Sequence, residues 1–174
     1  DAARGRLRSD LILLGGIAPL AGLGAGLVGA LFRLALEEAN RARDALMAGM
    51  DAWGVVGFML FVGLAAGAAA IAAWLVRCIA PSAAGSGIPR VIAVLNEEVP
   101  PAPLRVIPVK FVAGTLAIGS GLALGREGPT VQMGASIAYQ AGRLFRQSWT
   151  DCRALLAAGA GAGFAVAFNA PIAG

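Results

Sequence analysis

The sequence predicts an all-α, polytopic membrane protein in which long spanning helices stand beside shorter ones that are broken and partly re-entrant. Three observations predict it. The 174 residues are 58% hydrophobic and only 14% charged, against about 25% charged in ordinary soluble domains, and the mean hydropathy is +0.76. Two segments, Leu11 to Phe32 and Ala52 to Val76, are free of charge for about 22 and 25 residues, and a membrane helix needs about 20. From Arg77 onward the apolar runs shorten and are repeatedly cut by glycine and proline. Such interruptions are tolerated at membrane depth only where the freed backbone groups are buried in protein or line a polar cavity.

Leu11 to Phe32 follows Arg4, Arg6 and Arg8 and is longer than the roughly 7 to 15 residues of a signal-peptide core, which makes it a first membrane helix. The link after it carries Glu37, Glu38, Arg41, Arg43, Asp44 and Asp51. That link is too polar for lipid and prolongs the first helix into water. Ala52 to Val76 is the second span, and the two form a hairpin. The N-terminal arginines then share a face with Arg77, Arg90, Arg105 and Lys110, a face that the positive-inside rule makes cytoplasmic. Four shorter segments follow, Ile88 to Leu95, Phe111 to Gly125, Gly128 to Gly142 and Ala154 to Ala170, most of them too short to span. Asn169-Ala170-Pro171 marks one more break, with Pro171 beginning a further helix. The chain stops at Gly174 inside an apolar stretch, so residues 1–174 are expected to be one domain truncated at its C-terminal end.

Small residues recur four apart at Gly22 and Gly26, Ala25 and Gly29, Gly63 and Gly67, Gly121 and Gly125, and Gly159 and Gly163. This spacing lets membrane helices approach closely, although a chain with 25 glycines also produces such pairs by chance. Trp53, Trp74 and Trp149 fall near segment ends, where interfacial aromatics anchor spans. Lys110, in Val106-Ile107-Pro108-Val109-Lys110-Phe111, is read as a snorkelling lysine at an interfacial helix start.

The net charge is +4, but the basic residues gather near the ends of apolar segments and neither form a basic run nor interleave with aromatics. That excludes a nucleic-acid partner in favour of lipid. Cys78 and Cys152 have no histidine to complete a metal site with them, and two cysteines make no disulfide framework. No residue set supports covalent catalysis, so the sequence is read as that of a non-enzyme with no metal or cofactor.

Two pentapeptides carry the chemistry. Gly85-Ser86-Gly87-Ile88-Pro89 and Gly125-Arg126-Glu127-Gly128-Pro129 share glycine first and proline fifth, and each immediately precedes an apolar segment. Proline suits a first helical turn, and glycine lets the preceding backbone turn tightly. Both motifs therefore read as helix starts. Each would present free N–H groups and about half a positive charge, whose natural guest is an anion. Ser86 either offers its hydroxyl to that guest or caps the helix starting near Pro89. Glu127, ionisable between uncharged stretches, is functional by default. It either competes with the anion for the same amides, as a gate that swings aside when protonated or displaced, or pairs with Arg126 at a helix start.

Gly119-Ser120-Gly121-Leu122-Ala123-Leu124-Gly125 has the glycine spacing of a dinucleotide-binding loop. A Rossmann site also needs a preceding buried strand and an acid about 20 positions on, and the only later acid besides Glu127 is Asp151. A non-transporting membrane scaffold would account for the hydrophobicity, and describes the isolated piece, but leaves the paired helix starts and Glu127 unexplained.

These two pentapeptides, in this order, together with Ile107-Pro108-Val109-Lys110-Phe111 and the stretch from Gly159 to Gly174 containing Phe168-Asn169-Ala170-Pro171, resemble the CLC family of chloride channels and chloride/proton antiporters, its bacterial members above all. The resemblance implies one inverted-repeat half of a CLC-like transmembrane domain in a bacterial inner membrane. It implies chloride and protons as the transported species, lipid and the missing C-terminal half as partners, and a homodimer. Ser86 would coordinate a central chloride, the amides around Arg126, Glu127 and Gly128 would form an outer site, and Glu127 would be the external gate and proton acceptor. Bacterial exchangers place acids soon after the first motif, where this chain has Arg90 and Ile92. The internal proton glutamate would lie beyond Gly174, so the resemblance admits an exchanger, which bacterial likeness favours, and a passive channel.

Overall fold

The computed structural model describes the backbone of residues 2–170 and the side chains of residues 15–170. Within these limits it contains six α-helices and no strand: α1 Ala2–Asp51, α2 Gly54–Ile79, α3 Ile88–Leu95, α4 Val106–Gly119, α5 Glu127–Leu144 and α6 Trp149–Phe168. The side chains of Arg4, Arg6 and Arg8 and the helix expected from Pro171 lie outside the described residues.

Helix α1 runs through its polar link without a break. At 1.5 Å per residue its 50 residues extend about 75 Å, far beyond a hydrocarbon core of about 30 Å. Its C-terminal part is largely exposed and carries ion pairs between Arg33 and Glu37 at 3.0 Å and Arg41 and Glu38 at 2.6 Å. The membrane part buries a single stripe of Ile17, Ala21, Ala25, Gly29, Phe32 and Leu36, spaced at the three-to-four residue helical interval. Two residues then turn the chain into α2, where Gly54 takes φ +55 and Gly57 abuts the Met50 carbonyl so closely that a Cβ would overlap it. The hairpin expected from the sequence is therefore present. Helix α2 is apolar all round yet buries only Gly57 and Ala72. Its large apolar side chains, among them Val55, Phe58 and Ile71, face outward, to lipid or to further protein.

The later helices divide by length. Helices α1, α2 and α6 are long and apolar enough to cross a membrane. Helix α3, with 8 residues, and α4, with 14, reach only about 12 and 21 Å, so neither crosses a 30 Å core. Helix α5 is the centre of the molecule, buried without interruption from Gly128 to Ser136 and enclosed by α1, α3, α4 and α6. Its partner α6 lies almost backbone to backbone against it: a Cβ on Gly159 would strike the Gly134 carbonyl, and one on Gly163 the Thr130 carbonyl. On α1, Gly29 makes room for the Val166 side chain. By contrast Gly22, Gly26, Gly63 and Gly67 have nothing within 4 Å, so their spacing marks no helix contact within the described residues.

Helix α6 begins five residues before the apolar run that announced it. Ser148 caps it, accepting from the Asp151 amide at 3.2 Å and donating to the Asp151 carboxylate at 2.5 Å. The hydroxyl thus serves as N-cap for the Asp151 amide and is itself held by the Asp151 carboxylate, which also places a negative charge in the first helical turn. Asn169, at φ +53, ends the helix as a left-handed C-cap. The break expected at Asn169 is thus observed.

Candidate anion site

The first motif forms the turn between a short 3₁₀ segment, Pro81–Ala83, and α3. Gly85 and Gly87 adopt φ +73 and +94, a region that glycine occupies without penalty. Gly87 also lacks room for a side chain, since a Cβ would lie 2.6 Å from Gln132 Oε1. The helix cap position is Gly87, without a side-chain cap bond, so Ser86 is not the cap and its hydroxyl is left for another use. Pro89 stands in the first turn of α3 as expected.

Two side chains hold this turn by its carbonyls. Lys110 Nζ donates to Ala83 O at 2.8 Å and to Gly85 O at 2.6 Å, while Gln132 Nε2 donates to Ser82 O at 2.8 Å. Three neighbouring carbonyl dipoles are thereby occupied by donors and neutralised as anion repellents. The first N–H groups of α3 have no intrahelical acceptor, as at any helix start. Snorkelling does not describe Lys110, which is 5% exposed. Desolvating an amine is costly unless it is hydrogen-bonded, and the two carbonyls supply those bonds.

The second motif begins α5. Thr130 Oγ1 donates back to Arg126 O at 3.1 Å and Glu127 O at 2.8 Å, again occupying carbonyls at a helix start whose amides are free. Glu127, half-buried, folds its carboxylate back against Gly125, where a Cβ would collide with it. Among the described residues Glu127 forms no ion pair with exposed Arg126.

The two motifs meet. Gly128 lies against the Ser86 backbone so closely that a Cβ there would overlap the Ser86 carbonyl. Both open onto one cavity of about 530 Å³, whose lining includes Gly85, Ser86, Lys110, Gly114, Gly125 and Pro129. Arg77 is the other charged residue on this lining, so both of its formal charges are positive. Gly87 and Gly128 are buried behind it, Ile88 is half-buried in the core beside Val91 and Val94, Pro89 and Arg126 are exposed, and Glu127 stands at the second motif beside Gly125. Arg90 and Ile92 lie on α3 with no carboxylate beside them on that helix. Nothing in the dinucleotide-loop alternative survives, because Gly119 ends a helix where that reading needs a strand.

Sequence reasoning misjudged Lys110 and passed over Gln132 and Thr130. The signal for Lys110 was the same one that identified Glu127, an ionisable residue isolated between uncharged stretches. Gln132 had no such signal, since its role depends on reaching a carbonyl fifty positions away.

The family described as voltage gated chloride channel matches residues 68–174. The H(+)/Cl(-) exchange transporter ClcA of Vibrio vulnificus strain YJ016 is 42% identical over 91% of this chain and 34% of its own. ClcA of Klebsiella pneumoniae strain 342 is 40% identical over 100% of this chain and 38% of its own. Among solved structures, a slow cyanobacterial Cl-/H+ antiporter superposes with a TM-score of 0.85 at 37% identity, covering 90% of this chain and 37% of the other. A CLC-type fluoride/proton antiporter superposes with a TM-score of 0.69 at 29% identity, over 93% of this chain and 38% of its own. The chain thus spans little more than a third of the relatives it matches. The match over most of the chain, the shared helical architecture and the two motifs joined at one cavity lead to the same place: this is a membrane protein of the CLC family of chloride channels and antiporters.

Proposed function

We propose that residues 1–174 are the N-terminal part of a single CLC-like domain that exchanges chloride for protons. The observation carrying this reading is the junction of Ser86 and Gly128, which sets two helix starts on one cavity whose charged lining is positive. Free amides, the Ser86 hydroxyl and Lys110 bind a weakly basic halide without a contact ion pair of full strength, so it can also leave. Ser86 holds the central chloride, and the amides around Arg126, Glu127 and Gly128 hold an outer one. A charged Glu127 competes with the anion for those amides. Protonated or displaced, it moves off them, so the same side chain is external gate and proton acceptor. The rest of the parent chain completes the pathway, lipid surrounds it in a bacterial inner membrane, and two copies form a dimer. Chloride is the transported ligand, and no cofactor or enzymatic step is required.

A specific observation supports a second reading, a passive channel: α3 carries Arg90 and Ile92 and no carboxylate, which leaves the inner proton route without an acid on this helix. Paired fluxes separate the two. In liposomes containing the full-length parent, an imposed chloride gradient should drive protons uphill, and Glu127→Ala should abolish proton movement while chloride still flows. Chloride flux without uphill proton movement in the wild type would establish the channel instead, and no anion flux would end both readings.

A further inference from the structure

Apart from the anion cavity, two buried polar atoms of opposite character stand without a partner among the described residues: Nε of Arg90 and Oε1 of Gln132. The first can only donate and the second only accept. The orientation of the Gln132 amide is fixed, since Nε2 is committed to Ser82 O at 2.8 Å, and its side chain is 1% exposed. Buried polar groups in folded proteins are nearly always paired, with protein or with water. Arg90 and Gln132 line the same small cavity, of about 20 Å³, together with Ser136 and an apolar wall of Val94, Tyr139 and Leu156.

The size and chemistry of this cavity select its occupant. A single water needs roughly 10–15 Å³ and two to four polar partners, and the cavity offers that volume, one donor, one acceptor and the Ser136 hydroxyl. A halide would be drawn by the Arg90 N–H but repelled by the Gln132 carbonyl oxygen. Only a molecule that donates and accepts at once satisfies both. We infer that this cavity is a hydration site for one water, which accepts from Arg90 Nε–H and donates to Gln132 Oε1. The water links the cation after the first motif to the side chain that holds the Ser82 carbonyl. The small cavity shares no lining residue with the ion cavity and is not a second anion site. The inference does not depend on the transport reading.

The test is a structure of the full-length parent, at a resolution that orders water, from crystals grown with bromide replacing chloride. A single peak within hydrogen-bond reach of Arg90 Nε and Gln132 Oε1, without anomalous scattering, is the expected result. An anomalous peak there, a dry cavity, or a side chain from the rest of the parent filling it would each overturn the inference. Arg90→Met carries the chain only as far as the position of Nε, putting a methyl where the donor stood, and should lose the peak. A peak of undiminished occupancy in that variant would equally overturn it.

Discussion

At the scale of single residues, the site is governed by which carbonyls are occupied. An amide-rich turn attracts an anion only if its carbonyls are directed elsewhere, and here Lys110 and Gln132 occupy those of Ser82, Ala83 and Gly85. Lys110→Met should therefore do more than remove a charge. It strands two carbonyls, of which that of Ala83 belongs to a buried residue and costs about 1–3 kcal/mol if left unpaired. The prediction is a lower thermal unfolding midpoint and weaker chloride binding together, while Lys110→Arg, which keeps the charge in a bulkier head, also perturbs the turn. Isothermal titration alongside a melting curve separates the two effects. The motifs themselves were legible in the sequence because glycine and proline announce helix starts by their own backbone chemistry. That Ser86 touches Gly128 was not, since the 41 positions between them carry no information about approach until α4 and α5 fold back.

At the scale of helices, close packing is concentrated on the line between α5 and α6. Gly159→Val would drive a branched side chain into the Gly134 carbonyl, and overpacking of this kind costs about 1–3 kcal/mol. Gly63→Val on α2 has nothing within 4 Å among the described residues and should leave the melting temperature nearly unchanged. The sequence contains the same four-residue spacing at both places; what differs is whether a second helix lies opposite, which spacing cannot encode. The start of α6 illustrates the converse. Its cap, Ser148 with Asp151, is a local pattern in the sequence, but a segment taken from the apolar run at Ala154 leaves out the polar first turn of the helix. Ser148→Ala should destabilise by about 1 kcal/mol.

The turn after α3 is tied to the same helix end. Glu97 accepts from Trp149 Nε1 at 3.2 Å and pairs with Arg153. The indole hydrogen bond foremost, and then Arg153, hold the Glu97 carboxyl below its ordinary value of 4.5. A carboxyl lowered in the folded state contributes above the unfolded value and loses that contribution as pH falls through the folded one. Acidification from the ordinary value of 4.5 down through the lowered folded one should thus free the turn, read as a change in Trp149 emission in a Trp53→Phe, Trp74→Phe background, and Glu97→Gln should remove that change.

For the molecule as a whole, fold class and spans followed from hydropathy and length, because the bilayer imposes both. The enclosure of α5 by four other helices did not, since its buried Thr130, Gln132 and Ser136 make it less apolar than the spans around it. The central claim is that two distant helix starts form one anion site, and equilibrium chloride binding to the full-length parent in detergent tests it most directly. Titration should show saturable binding in the wild type and in Gly63→Ala, where no described residue lies within 4 Å. Gly128→Ala forces the Ser86 carbonyl to move, and a cost of about 1.4 kcal/mol corresponds to tenfold weaker binding. Glu127→Gln, which removes the competing charge, should bind chloride more tightly than the wild type. Equal affinity in Gly128→Ala and Gly63→Ala, with Glu127→Gln unchanged, would contradict the account.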